Sequence, residues 1–244
     1  MTGGAGQGPR PGAGTGRGTT PGAKAATAPN RPAAPASVEL PALIRYAGGE
    51  LRTDDELEAV ELVGADLAGA SVTGVTFLGC RLDRCGLDGA SLRRARFVDC
   101  AVNEPHAASL DVTDSTWRDT LVTAPRVGAL LAVGASWSGV RVRGGKIDLL
   151  DLNGAKLTDV VLEGCVIGEL DLGSAQVRWA RVEGGEIGVL DVTDARLADV
   201  DLTGATIREV RGVDGLRGAT VSAMQLVDLA PALAAHIGMK VRGG

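Results

Sequence analysis

Between Ile147 and Ile207 the chain repeats itself every twenty residues without a gap. The blocks read IDLLDLNGAKLTDVVLEGCV, IGELDLGSAQVRWARVEGGE and IGVLDVTDARLADVDLTGAT, and each opens on an isoleucine and reaches a leucine three places later. Inside each block an apolar residue returns every five. A helix has a period of 3.6 and a regular strand a period of 2.0, so neither produces this pattern. One structural unit per five residues does: a short extended side, a turn, and another side. Four sides closing into a square coil account for the twenty-residue block and make residues twenty apart neighbours.

The same phase runs upstream through Leu57, Leu62, Leu67, Val72, Phe77, Leu82, Leu87, Leu92, Phe97 and Val102. Mostly small groups stand two places before these centres (Ala65, Ala70, Cys80, Cys85, Ala90), and glycine often stands two places after (Gly64, Gly69, Gly74, Gly79, Gly89). Coils stacked one strand spacing apart, about 4.8 Å, in about seven to eight layers make a rod roughly 35–40 Å long. Stacking predicts inner columns: Ile147, Ile167, Ile187 and Ile207; Leu110, Leu130, Leu150, Leu170 and Leu190; and Phe77, Phe97, Trp117 and Trp137. The last column takes both phenylalanines and two of the three tryptophans. Each buried centre is worth about 1.5–3 kcal/mol, largely offset by backbone ordering.

The runs ADLAG at 65–69, ASLRR at 90–94 and AKLTD at 155–159 resemble the A(D/N)LXX motif of pentapeptide repeat proteins. The resemblance covers about 57–221. It implies an all-β fold, a right-handed quadrilateral β-helix with the centre and the small residue inward and the other three outward. It also implies candidate partners, since some members of that family imitate duplex DNA and bind DNA gyrase, and some dimerise at the C-terminal end.

The flanks differ from the repeat. Residues 1–36 contain no Val, Leu, Ile, Phe, Trp or Tyr and no acid, only Arg10, Arg17, Lys24 and Arg31 as charges. Such a segment cannot offset its ordering entropy by burial, so 1–37 is expected to be a disordered Gly/Ala/Pro-rich tail. Residues 38–56, with Leu40, Leu43, Ile44 and Tyr46, are expected to cap the first coil as a short helix or an irregular turn, because terminal repeats need covering. Over 103–136 the motif weakens: Pro105 and Pro125 take the small inward position, and Ala107 and Ala132 replace large centres. Either the coils continue, distorted where proline removes a ladder donor, or this stretch loops out. Past Ile207 the phase stops at Gly212. Ser222 with Gln225 forms a capping-box pattern, and Leu226, Leu229, Leu233 and Ile237 share one helical face. A C-terminal helical cap over 222–244 follows, split or kinked at Pro231, which either only closes the last coil or also makes a homodimer contact.

The chain's chemistry is sparse. Its two histidines, His106 and His236, have no cysteine or carboxylate cluster of metal-ligand spacing beside them, and the Gly-rich corners lack the lysine and helix of a phosphate loop. No catalytic residue, metal or cofactor is expected. Beyond residue 36 the chain has 21 bases against 30 acids, a balance that disfavours direct nucleic-acid binding. No run approaches a membrane helix, no signal-peptide core is present, and four irregularly spaced cysteines make no disulfide framework. A cytoplasmic protein is expected, with Cys80 and Cys100 reduced in one inward column.

Function must then lie in the outward slots. Asp111, Asp151, Asp171 and Asp191 share an outward column, which is either a solvated consensus slot or a carboxylate ladder imitating DNA phosphates. Leu121, Leu131, Leu149, Val161, Val166, Trp179 and Val189 are apolar residues in outward slots, and exposed apolar groups can mark a contact. The leading expectation is a non-enzymatic scaffold that binds a protein partner through Leu149, Trp179 and Val189. The alternative is a DNA mimic that binds DNA gyrase through Asp151, Asp171 and Asp191, although Arg126, Arg141, Arg143, Lys146, Arg178 and Arg181 interrupt the acidic surface.

Overall fold

The computed structural model describes residues 1–4 and 37–240. The tail expected to be disordered lies, apart from 1–4 and 37, outside these residues. Short parallel strands wind about nine turns of a four-sided solenoid from Ile44 to Thr220, followed by one helix, α1 (Ala223–His236). The twenty-residue register is direct. Leu57 pairs with Phe77, Phe77 with Phe97, Phe97 with Trp117 and Trp117 with Trp137. The four aromatic rings stack inside the rod, with successive centroids 5.0, 4.0 and 5.9 Å apart. Ile147, Ile167, Ile187 and Ile207 form a second inner column, and Leu110, Leu130, Leu150, Leu170 and Leu190 a third.

The corners explain the glycines. A residue two places after the centre adopts the left-handed conformation, as at Gly64, Gly74 and Gly79. Where glycine is missing the slot is often aspartate, as at Asp99, Asp114, Asp119 and Asp159, a residue whose side chain tolerates that region. One corner departs from the rule. It is left-handed at Gly69 and Gly89, with Ala70 and Ala90 following inward, but from Ser109 onward the chain passes it in extended form within the strands His106–Asp111, Arg126–Leu131, Lys146–Asp151 and Val166–Asp171. The change of corner coincides with the change from alanine to leucine at the normally small position.

Residues 103–136 stay in the coils. The strand His106–Asp111 pairs with Ala90 and Ser91 below and with 126–131 above. The distortion expected at the prolines is absent because their corner position is not a ladder donor. The N–H groups of Cys85 and Cys165, in the same column, make no inter-turn backbone bond, whereas the carbonyls of Pro105 and Pro125 accept from Arg126 and Lys146 at 2.9 and 2.7 Å. Proline therefore fits at no cost in hydrogen bonding.

One inward column of polar groups is satisfied across the turns. Cys80, Cys100 and Thr120, stacked in one column, each donate to the carbonyl twenty-three residues earlier, on Leu57, Phe77 and Phe97. All four cysteines are free thiols, and all are buried.

At the N-terminal end 38–56 forms no helix. The two-residue strand Ile44–Arg45 pairs beneath Val60 and Glu61, and Leu51 is buried under the first coil. At the C-terminal end Ser222 and Gln225 close the expected capping box, and α1 runs unbroken through Pro231 rather than splitting there.

Candidate interaction surface

The aspartate column is shaped first by its own backbone. In Asp111, Asp151, Asp171 and Asp191 one carboxylate oxygen accepts the N–H two residues on, from Thr113, Asn153, Gly173 and Thr193, at 2.9, 3.0, 2.7 and 2.8 Å. These Asx turns explain why the slot favours a short carboxylate, and they leave the second oxygen outward. At Asp111 burial opposes the charge, but the Thr113 hydrogen bonds and the neighbouring Arg93, 3.2 Å away, outweigh it and hold the carboxyl below its ordinary range. The column is not continuous. Leu131 separates Asp111 from Asp151, and Arg211 ends it above Asp191. Asp151, Asp171 and Asp191 alone occupy consecutive rungs.

Leu149 and Val189 lie on the same wall as these three aspartates. Glu169 stands between them in the ladder, so the neighbouring column reads Leu149, Glu169, Val189, Glu209. All six residues from Leu149 to Asp191 in these two columns are partly exposed. Arg211 pairs with Glu169 at 3.1 Å and Glu209 at 3.0 Å, closing the acidic wall at its C-terminal end. The result is a flat surface of alternating aliphatic and carboxylate groups at rung spacing.

Trp179 does not join it. It lies ten residues, half a coil, from Leu149 and Val189 in the twenty-residue register, on the opposite corner of the prism. Its φ of 53° places a bulky residue in the left-handed region, an outlier for such a side chain. The Arg178 guanidinium lies 4.6 Å from its ring centroid. On the adjoining wall two outward residues are nearly covered, Val161 at 2% and Arg141 at 8% exposure. Arg141 and Arg143 both bind Glu163, at 2.8 and 3.1 Å, and these hydrogen bonds lower the Glu163 pKa. Charge alternation in the sequence could have pointed to this cluster, since residues 141, 143 and 163 share one wall, but nothing in the period of five foretold the burial of an outward arginine.

The remaining ionisable groups are scattered. His106 is exposed, and a Cβ placed on Gly86 below would stand 3.3 Å from its Nε2. His236 pairs with Asp214 at 3.1 Å. Among the described residues no group of three His, Cys, Asp or Glu is placed to hold a metal ion, and no helix is long and apolar enough to cross a membrane. Burial pushes the Cys100 thiol up to about 12 and the Cys165 thiol to about 11. A surface recess of about 550 Å³ beside Arg126 has the Lys146–Asp148 ion pair as its other charged lining. Two interior voids, both bordered by Trp137, are about 40 Å³ each.

Comparison with known proteins matches residues 61–97 to the family model of pentapeptide repeats, in eight copies. No curated protein matches the chain significantly. Among solved structures, that of a trypsin-treated variant of QnrB1, a plasmid-mediated fluoroquinolone resistance protein, is similar at 18% identity, covering 80% of this chain and all of the other, with a TM-score of 0.37. A second trypsin-treated QnrB1 variant is similar at 20% identity, covering 78% of this chain and 91% of the other, with a TM-score of 0.26. The five-residue sides and twenty-residue ladders agree with the matched stretch: residues 61–97 are similar to pentapeptide repeats, and the chain folds as the four-sided β-solenoid expected of such repeats.

Proposed function

We propose that this protein is a non-enzymatic scaffold whose rigid outer walls bind a protein partner. The observation that supports the reading is the wall of Leu149, Glu169, Val189, Asp151, Asp171 and Asp191. It combines aliphatic and carboxylate groups at fixed spacing on a backbone held by ladders on both sides. Such a surface fits a partner face carrying basic and apolar groups. The inner columns leave voids of only about 40 Å³ beside Trp137, which supports a reading in which the outer walls do the binding. Four buried free thiols fit a reducing, cytoplasmic setting. The test is capture of partners by the full chain. The paired substitutions Leu149→Asp and Val189→Asp should reduce recovery about tenfold, the effect of losing central apolar contacts, while Trp179→Ala on the opposite corner should leave it intact. Unchanged recovery with the paired wall variant would count against this wall.

A second reading is favoured by the three consecutive aspartates: binding of DNA gyrase through a lane that stands in for phosphates. Supercoiling by purified gyrase, with this protein and with its Asp151→Asn, Asp171→Asn, Asp191→Asn triple variant, tests it. Equal effects of the two proteins would remove the lane from the mechanism. Exposed Met224, Leu226, Val227, Ile237 and Met239 on and beside α1 support a homodimer contact at the C-terminal cap, which sedimentation of a Val227→Glu variant would abolish.

A further inference from the structure

A parallel solenoid ends in open strand edges, and each side of the last coil needs something over it. Three sides have a dedicated cover. The 3-10 turn Val213–Leu216 lies across the first, with Gly215 so close over the Val192 carbonyl that any side chain there would overlap it. Gly218 sits in the same way over Leu197, and the strand Ala219–Thr220 pairs with Val200 and Asp201. On the third side Gln225 Nε2 donates to the Leu202 and Ala205 carbonyls, both at 2.7 Å.

The fourth side is different. Residues 206–211 of the strand Arg196–Arg211 pair below with 186–191 and, among the described residues, with no strand above. Ile207 and Val210, the last rungs of the two aliphatic ladders, are only half-buried, whereas Ile187 and Leu190 beneath them are buried. Beside this edge lies a recess of about 180 Å³ between the coil and α1, its apolar lining including Ile207, Val210, Leu229 and Pro231 and its charged lining Arg208, Glu209 and Asp228. An unpaired edge next to an apolar recess walled by a helix is the arrangement that accepts an added strand.

We propose that this edge is a strand-addition site, occupied by an extended segment of the partner protein that lies down as the next rung. The inference deepens the scaffold reading and rests on it. The register defines the segment. Ladder neighbours keep their column, so the residues above Ile207 and Val210 are three apart in the segment and aliphatic, as Ile187 and Leu190 are. The residue directly after the first aliphatic stands over Arg208, whose side chain is 75% exposed and meets Glu186 only at 3.7 Å. An acidic residue there complements it. The coil below, residues 186–192, has the sequence EIGVLDV and already carries the aliphatic spacing.

The probe is therefore a fluorescein-labelled EIGVLDV peptide and its acid-bearing relative EIEVLDV, titrated with the full chain and followed by anisotropy. Saturable binding is expected, tighter for the acidic peptide. Backbone N-methylation at alternate peptide residues, and either Ile207→Lys or Leu229→Asp in the protein, should each weaken binding about tenfold, the effect of losing backbone pairing or an apolar anchor. N-methylation tests the site on the unaltered protein, so misfolding of a variant cannot mask the result. Equal binding of methylated and unmethylated peptides, or no binding at about 1 mM, the weak limit of specific contacts, overturns the proposal. So does a dimer dispersed by Ile207→Lys, because a second copy would then own the edge. Loss of the peptide site alongside capture that still depends on Leu149 and Val189 removes the edge and keeps the wall; the converse keeps the edge and removes the wall.

Discussion

Trp137 offers a direct test of how the inner columns set stability. Its indole Nε1 is buried and, among the described residues, meets no acceptor. One rung below, Trp117 Nε1 donates to Ser115 Oγ at 2.9 Å. The residue two places before Trp137 is Ala135, twenty residues after Ser115 and in its column, just before the rung that pairs Thr116 with Ser136. The stack registers the difference: Phe77, Phe97 and Trp117 are inclined to one another by 11° and 23°, but Trp137 is turned 50° from Trp117. Ala135→Ser places a hydroxyl where Trp117 finds one. A buried donor without a partner costs about 1–3 kcal/mol, and a made bond contributes about 0.5–1.5 kcal/mol net. Adding an oxygen in a fully buried slot opposes this, but Trp137 borders two interior voids, so the ring can move into place. The expected gain is about 1 kcal/mol, or about 2–4 °C in Tm for a chain of this size. Ser115→Ala should lose about 1–3 kcal/mol by leaving the Trp117 donor unpaired. Urea unfolding followed by far-ultraviolet circular dichroism measures both. The decisive comparison is Ala135→Ser in a Trp137→Phe background, where the gain must vanish. A coupling below about 0.3–0.5 kcal/mol, the range of independent sites, would refute the reasoning, because the serine would then be acting on something other than the indole.

Two further outcomes follow from the corners and the thiols. Gly145 has φ 79°, and a Cβ there would overlap the Pro125 backbone and ring, whereas Gly144, at φ 63°, has nothing within 4 Å of its Cβ position. Gly144→Ala should therefore cost about 1–2 kcal/mol, the left-handed penalty alone, and Gly145→Ala about 1–3 kcal/mol more for the forced overlap, as measured by the same urea titration. Burial raises the Cys100 thiol from 9.0 to about 12 and the Cys165 thiol from 9.0 to about 11. The folded state thus holds these protons more tightly than the unfolded state. Their contribution is complete below pH 9.0 and is lost as pH rises towards 11 and 12. Denaturation midpoints should fall across that window, and less steeply in Cys100→Val, which uses the residue this column already carries at Val140, Val160 and Val200.

The inner columns were legible in the sequence because every coil repeats the same requirement. Phe97, Trp117 and Trp137 could be placed over one another by counting twenties, and the ring stack is the result. The prolines were misread for a definable reason: the period identifies the inward position but does not say whether its N–H takes part in the ladder, and at 105 and 125 it has no such role. The opened corner after Ala107 was also hidden, although the change from Ala90 to Leu110 marked it. Outward residues are harder to read, since nothing in the repeat fixes their rotamers or neighbours. Counting by twenties suffices to put Leu149 and Val189 beside the aspartates and Trp179 half a coil away, but it was applied to the inner columns and the aspartate slot only. It could not have shown that Val161 and Arg141 are covered. The ends were least legible, because a cap is a single event without a period. The capping box at Ser222 was visible, but not that Gln225 also reaches back to two carbonyls of the last coil.

The aspartate slot shows why a repeated residue need not be a functional one, and where function can still enter. Each carboxylate gives one oxygen to its own turn, so the column would exist in a solenoid that bound nothing. What the backbone does not require is the pairing of three such rungs with Leu149 and Val189 in the next column. Outward oxygens at about 4.8 Å per rung also follow a different rise from phosphates at about 3.4 Å per step of one DNA strand. Across Asp151, Asp171 and Asp191 the two spacings diverge by about 3 Å, and Leu131 and Arg211 bound the lane on either side. A phosphate-like contact limited to this lane engages few positions, and a partner using the wall gains more from the aliphatic groups between the charges. The Leu149 and Val189 substitutions probe that apolar share, and the asparagine triple variant the charged share; the wall is an interface only if at least one of the two is felt.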